Sequence, residues 1–314
     1  MTYSIVARDP ATGQLGVAAQ SCYFALGAVL PWARAGVGAV ATQSMVDPGY
    51  GPRCLDLLAQ GLNPDDALAQ AVAADDGRAV RQVGVVGATG AVASYTGTMC
   101  IDHVCHAEGE GYAAQANMMG RDGVCAAMAA AFEASDGSSS GGASSDGTPS
   151  LATRLVGALV AAESLGGDAR GQMSAALIVV EGTPHPHPWQ GVLVDVRVDH
   201  HPDPLGELGR LVRVAEAYHL CDVAEESLVR GDTAGALAGA EAGLALLPGE
   251  GNLLLSHIAA LIGVGRLDEA AAELQGLVAS RPTWEGVVRA LIDRGLVPLP
   301  EGVTVDQLLA RPAR

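Results

Sequence analysis

The order of the periodic segments constrains this chain most. Residues 2–7 alternate and are β-branched, Asp9-Pro10-Ala11-Thr12-Gly13 is a turn, and 15–20 alternate again, so the chain opens with a hairpin. A third strand follows at 37–43. Helical spacing then covers 50–60. Asn63, Pro64, Asp65 and Asp66 are an N-cap, a first-turn proline and two dipole-matched carboxylates for a helix reaching about residue 74. Segments 82–86, 91–96 and 111–117 read as strands, 123–134 and 151–165 as helices, and 174–180 and 191–198 as strands. This is not the strict strand–helix alternation of a parallel doubly wound sheet. It predicts an α+β protein with mainly antiparallel sheets and helices packed outside them.

From Leu205 onward no strand is predicted. Gly231 and Gly265 stand 34 residues apart, as do Pro248 and Pro282, each glycine in a similar Ala-rich setting. That is the period of a tetratricopeptide-type helix pair. The chain is therefore divided into residues 1–212, mixed α and β, and 213–314, a small all-α helical-repeat domain. The Ser/Gly tract 135–150 is read as a flexible insertion, because it has little apolar surface to bury. Two repeats are fewer than usually suffice. The apolar set Leu253, Leu254, Leu255, Ile258, Leu261, Ile262, Leu274 and Leu277 therefore predicts docking or, preferably, a homodimer.

Composition removes several function classes. The formal net charge is −17, which repels a phosphate backbone and argues against nucleic acid. No run of about 20 uncharged apolar residues occurs, and the first residues lack a basic, then apolar, leader. A cytoplasmic, non-membrane protein is expected, with its six cysteines as buried thiols. Cys100, His103, Cys105 and His106 lie close together but lack a second ligand cluster, so no metal and no cofactor are expected. P-loop, GxGxxG, HExxH and EF-hand patterns are missing.

Chemistry is concentrated at the N-terminus. Met1 precedes Thr2, a small residue before which the initiator methionine is commonly removed. Removal leaves a hydroxyl and a free α-amine on one residue, a nucleophile with its own base. An α-amine pKa of about 7.7–8.0 suits general-base work near neutrality. Many proteins begin Met-Thr, so this feature alone does not define an enzyme.

Three long blocks extend the reading: Thr2-Tyr3-Ser4-Ile5-Val6-Ala7-Arg8-Asp9-Pro10, Gly16-Val17-Ala18-Ala19-Gln20-Ser21, and Pro31-Trp32-Ala33-Arg34-Ala35-Gly36-Val37-Gly38-Ala39-Val40-Ala41-Thr42-Gln43. Gln82-Val83-Gly84-Val85-Val86, Gly109-Glu110-Gly111-Tyr112, Gln115, Asn117-Met118, Ser174-Ala175-Ala176-Leu177 and Asp199-His200-His201-Pro202-Asp203-Pro204 follow in order. Together they resemble the domain of unknown function 1028 family, over residues 1 to about 212. Gly49, Gln172-Met173 and the Ser/Gly tract depart from its pattern. The resemblance implies the four-layer αββα sandwich of the N-terminal-nucleophile hydrolases and amide hydrolysis by the first mature residue. The text from Trp284 to Pro298 resembles a module labelled peptidoglycan-binding.

The resemblance implies a catalytic set of Thr2, Arg34, Ser21 and Gln43. Arg34 would place a cation near the nucleophile, against the alternative of a surface ion pair. Ser21, Gln43 and Gln20 end strands beside the first and would hydrogen-bond the Thr2 amine or an oxyanion, or else satisfy backbone groups. Gln20, Tyr50, Gln115 and Asn117 would contact substrate, a small amide or peptide. Asp199, His200, His201 and Asp203 are read as structural. The competing reading is a non-catalytic scaffold whose helical domain engages a protein or cell-wall partner.

Overall fold

The computed structural model describes residues 2–135, 149–187, 189–297 and 299–311. The chain divides into two compact units, Met1–Val212 and Arg213–Arg314. In chain order the first unit comprises β1 (Thr2–Arg8), β2 (Leu15–Ser21), β3 (Pro31–Arg34), β4 (Gly38–Ser44), α1 (Tyr50–Ala59), α2 (Pro64–Ala73), β5 (Arg81–Gly87), β6 (Val92–Thr96), β7 (Cys105–Gly109), β8 (Tyr112–Asn117), α3 (Val124–Ala134), α4 (Leu151–Ser164), β9 (Ser174–Val180) and β10 (Val192–Val198). Then come α5 (Pro204–Val229), α6 (Thr233–Leu246), α7 (Gly251–Gly263), α8 (Leu267–Ser280), α9 (Thr283–Asp293) and α10 (Val305–Leu309). The class is mixed α+β, with two antiparallel sheets and ten α-helices among the described residues. Most of the Ser/Gly tract, residues 136–148, lies outside the described residues.

The larger sheet runs β10-β9-β2-β1-β8-β7 and the smaller β3-β4-β5-β6. Alternation along β1 shows how they stack. Tyr3 points to the helical side, where its hydroxyl donates to Glu163 of α4 at 2.6 Å. Ser4 points the other way and donates to Gln43 of β4 at 2.7 Å. Val6, Val17, Ala19, Ala39, Ala41 and Val86 make the core between the sheets. Val40, Val83 and Val85, on the opposite face of the smaller sheet, pack with Tyr50, Cys54 and Leu68 from α1 and α2. The sheets approach closely at Gly84, where a Cβ would stand 2.1 Å from Gln115 Oε1.

Local signals in the sequence explain the helix starts. Asn63 accepts from the Asp66 N–H at 2.8 Å and caps α2. Asp203 accepts from the Gly206 N–H at 3.0 Å at the start of α5, while the Asp199 carbonyl accepts from the Ala25 N–H at 3.0 Å. In the second unit Gly231 and Gly265 follow α5 and α7 with φ of 81° and 80°, a backbone region that glycine adopts without steric penalty.

Two expectations are corrected. The six-thiol reading does not hold, because Cys105 on β7 and Cys125 on α3 are joined by a disulfide. Cys105 is thereby removed from the Cys/His cluster. Of its histidines, His103 pairs with Asp122 and His106 with Thr96. Such bonds persist in oxidising surroundings, so the cysteines no longer argue for the cytoplasm. No helix among the described residues is long and apolar enough to cross a membrane. The apolar face taken as unpartnered is largely covered: Leu253, Ile258, Leu261, Ile262, Leu274 and Leu277 are buried, and Leu254 and Leu255 are partly buried. Most pack against Val288, Val297 and Leu308.

Candidate active site

Antiparallel pairing builds the site. It puts the first residue of β1 beside the last residues of both neighbours, so Thr2 faces Ser21 of β2 and Asn117 of β8. The smaller sheet ends at the same edge, where Ser44 pairs with Arg81. A cleft of about 370 Å³ opens there, lined by Thr2, Ser21, Gln43, Ser44, Met118 and Arg170, with an apolar wall described below. The Thr2 hydroxyl donates to Ser21 Oγ at 3.1 Å, and Thr2 is 8% exposed.

Behind Thr2 a buried polar seam crosses between the sheets. Gln115 Nε2 donates to Ser4 Oγ at 2.9 Å, and Ser4 Oγ donates to Gln43 Oε1. Gln43 Nε2 donates to the Thr2 carbonyl at 3.3 Å and to Gln82 Oε1 at 2.8 Å. Asn117 Nδ2 also donates to Gln82 Oε1, at 3.0 Å. Gln82 Nε2 faces Thr96 Oγ1 and the carbonyls of Cys105 and Ala116. These partners fix the amide orientations. Gln115 Oε1 and Asn117 Oδ1 are left buried without a hydrogen bond, each at a cost of about 1–3 kcal/mol. A polar seam in place of apolar packing, with two acceptors unmet, is the kind of local conflict that marks a functional region.

The backbone carries a second mark. Ser44 and Met118 have φ of 69° and 55°, left-handed values on residues with a Cβ. Both line the cleft, Ser44 as the last residue of β4 and Met118 just after β8. Strain of this kind persists only where surrounding structure enforces it, and it clusters at binding and catalytic sites.

Thr2, Ser21 and Gln43 are brought together at the cleft. Gln115 and Asn117 lie in the seam behind it. Gln20 alternates to the opposite face, beside Tyr3, and is fully buried with both amide atoms unpaired. Tyr50 is buried on the helical side of the smaller sheet and donates to Asp75 at 3.0 Å. Arg34 pairs with Gly38, at the opposite end of β4 from Gln43, and its guanidinium binds Asp56 at 2.8 Å. It is the surface ion pair of the two readings given above.

Sequence reasoning missed Arg170, Ser44, Met118 and Gln82. Only Gln82 carried a signal, a polar side chain starting an apolar strand. Arg81 was missed too. It binds Asp75 through Nε at 2.8 Å and donates from Nη1 to the Met45 carbonyl at 2.6 Å, fixing the cleft's rim. That guanidinium, with help from the Gly77 N–H and Tyr50, lowers the Asp75 pKa to about 2.

The two stacked antiparallel sheets, with helices outside them and a cleft at one strand edge, define the class of protein. A family model described as a family of unknown function (DUF1028) matches residues 2–208. The chain is similar to a protein of Silicibacter pomeroyi whose crystal structure is described under the DUF1028 family model. The two share 32% identity over 68% of this chain and 88% of that one, with a TM-score of 0.57. No functionally curated protein matches the sequence. The chain belongs to the DUF1028 family.

Proposed function

We propose that this protein is an amidohydrolase whose nucleophile is the Thr2 hydroxyl after removal of Met1, within an αββα sandwich of the N-terminal-nucleophile type. One observation carries the reading: Thr2 opens a central strand of the larger sheet and presents its hydroxyl to a cleft of about 370 Å³. In the mature chain the α-amine takes the hydroxyl proton, and Oγ attacks the substrate carbonyl to give an ester intermediate. The amine leaves with that proton, and water then releases the acid. Ser21 orients the hydroxyl, and Gln43 holds the Thr2 carbonyl.

The test is covalent capture. Intact mass should show Met1 missing. A β-lactone electrophile should add once, on the N-terminal peptide. Thr2→Ser should keep the adduct and Thr2→Ala should lose it, with melting temperature nearly unchanged. Met1 retained on folded protein, or equal labelling of Thr2→Ala, would overturn the reading.

A further inference from the structure

Beyond its nucleophile, the cleft lining combines an apolar stretch with a single cation. Leu26, Val29, Leu30 and Val46 make an apolar wall. Leu30 belongs to the Gln43 side, since its carbonyl accepts from the Thr42 N–H at 3.1 Å. Arg170 is the one charged side chain among the described lining residues, in a chain of net charge −17. Arg170 belongs to the Ser21 side. Its ion-pair partner Asp168 accepts from the Cys22 N–H at 2.9 Å, and the Cys22 thiol contacts the Arg170 carbonyl. Thr2 touches both sides, through Ser21 Oγ at 3.1 Å and Gln43 Nε2 at 3.3 Å.

The cation is positioned. Asp168 holds Arg170 Nη2 at 3.2 Å and Nε at 3.4 Å, and its Oδ1 accepts from the Arg170 N–H at 2.9 Å. The Asp168 side chain is fully buried, whereas that of Arg170 is 43% exposed. The buried carboxylate thus anchors a guanidinium that is itself part-exposed. A planar guanidinium pairs bidentately with an anion such as a carboxylate, and the apolar lining takes a group without charge.

We propose that the cleft binds N-acyl amino acids: a medium-length apolar acyl group against Leu26, Val29, Leu30 and Val46, the free carboxylate at Arg170, and the amide between them at Thr2. The orientation rests on the hydrolase reading of Thr2; the ligand class does not. Hydrolysis would break the C–N bond, consume one water, and give a fatty acid and an amino acid.

Calorimetry on the full-length Thr2→Ala protein tests binding apart from turnover. N-octanoylglycine should bind at least about tenfold more tightly than N-ethyloctanamide, which lacks the carboxylate, or N-acetylglycine, which lacks the chain. Tenfold is within what a charge-assisted hydrogen bond supplies. Arg170→Gln should remove the preference over N-ethyloctanamide while leaving N-ethyloctanamide affinity unchanged. Val46→Ser should weaken both octanoyl ligands alike. No binding of N-octanoylglycine, or an equal loss for both ligands in Arg170→Gln, would overturn the ligand class even if lactone labelling upheld the nucleophile. Binding without glycine release by the wild type would uphold the ligand class and defeat the hydrolase reading.

Discussion

Gln43 holds Thr2 from the other sheet: its Nε2 donates to the Thr2 carbonyl at 3.3 Å while its Oε1 accepts from Ser4 at 2.7 Å. One amide therefore fixes where β1 begins relative to the cleft. Gln43→Met keeps the volume but strips a donor from Thr2 and Gln82 and an acceptor from Ser4. Each buried group left unmet costs about 1–3 kcal/mol. At about 2–4 °C per kcal/mol for a domain of this size, the melting temperature should fall by several degrees and lactone labelling should slow. A variant as stable as wild type would show that the seam does not tie the sheets together.

Gln20 makes the opposite prediction. Its amide is fully buried on the helical face of the larger sheet with neither atom hydrogen-bonded. Gln20→Met removes two unmet polar atoms at similar volume, and the expected gain is about 1–3 kcal/mol. Because Gln20 points away from the cleft, labelling of Thr2 should not change. Differential scanning calorimetry and intact mass check both parts. Loss of labelling would mean that the face assignment does not describe the working site.

Much of the fold was legible because local signals and tertiary packing agree. The hairpin of β1 and β2, the capped α2 and the buried β9 each announce themselves by period and cap. Two strands did not. Pro31–Arg34 begins with proline at a sheet edge, and Cys105–Gly109 is a polar, half-exposed edge strand held by β8 and the disulfide. Edge strands lack the two-sided burial that writes an apolar pattern. In the site, Thr2, Ser21 and Gln43 were legible as strand ends near the N-terminus. Which face each side chain takes depends on register, so Gln20 and Gln43 look alike in sequence and point to different places. Arg170 lies in a loop, where sequence carries no register at all.

The disulfide offers a separate test of stability. Cys105 and Cys125 are 20 residues apart and join edge strand β7 to α3. Closing a loop of that length stabilises by about 3 kcal/mol through the unfolded chain. The oxidised protein should therefore unfold at higher urea than the same protein in reductant, and Cys105→Ser should match the reduced form. Peptide mapping without reductant should recover the crosslinked pair. Coincident urea midpoints would show that the bridge contributes nothing.

Three tyrosines set an alkaline limit on stability. Burial, reinforced by a hydrogen bond to Glu163, raises the Tyr3 pKa. Burial and Asp75 raise that of Tyr50, and burial with Glu133 pushes Tyr112 up to about 12. The unfolded phenols titrate near 10.0. Each folded value lies above its unfolded one, so the stability it contributes is complete below pH 10 and is lost as pH rises through the folded values. Asp75 behaves conversely. Its folded pKa of about 2 lies below the ordinary 3.8, so its contribution is present above pH 3.8 and lost as pH falls toward 2. Urea midpoints should be flat in these groups between about pH 5 and 9, fall above pH 10, and fall again below pH 4. Tyr50→Phe should flatten part of the alkaline fall and leave Thr2 labelling at neutral pH intact, because Tyr50 lies beneath the smaller sheet and away from the cleft. An alkaline limb unchanged in Tyr50→Phe would show that this phenol ionises without opposing the fold.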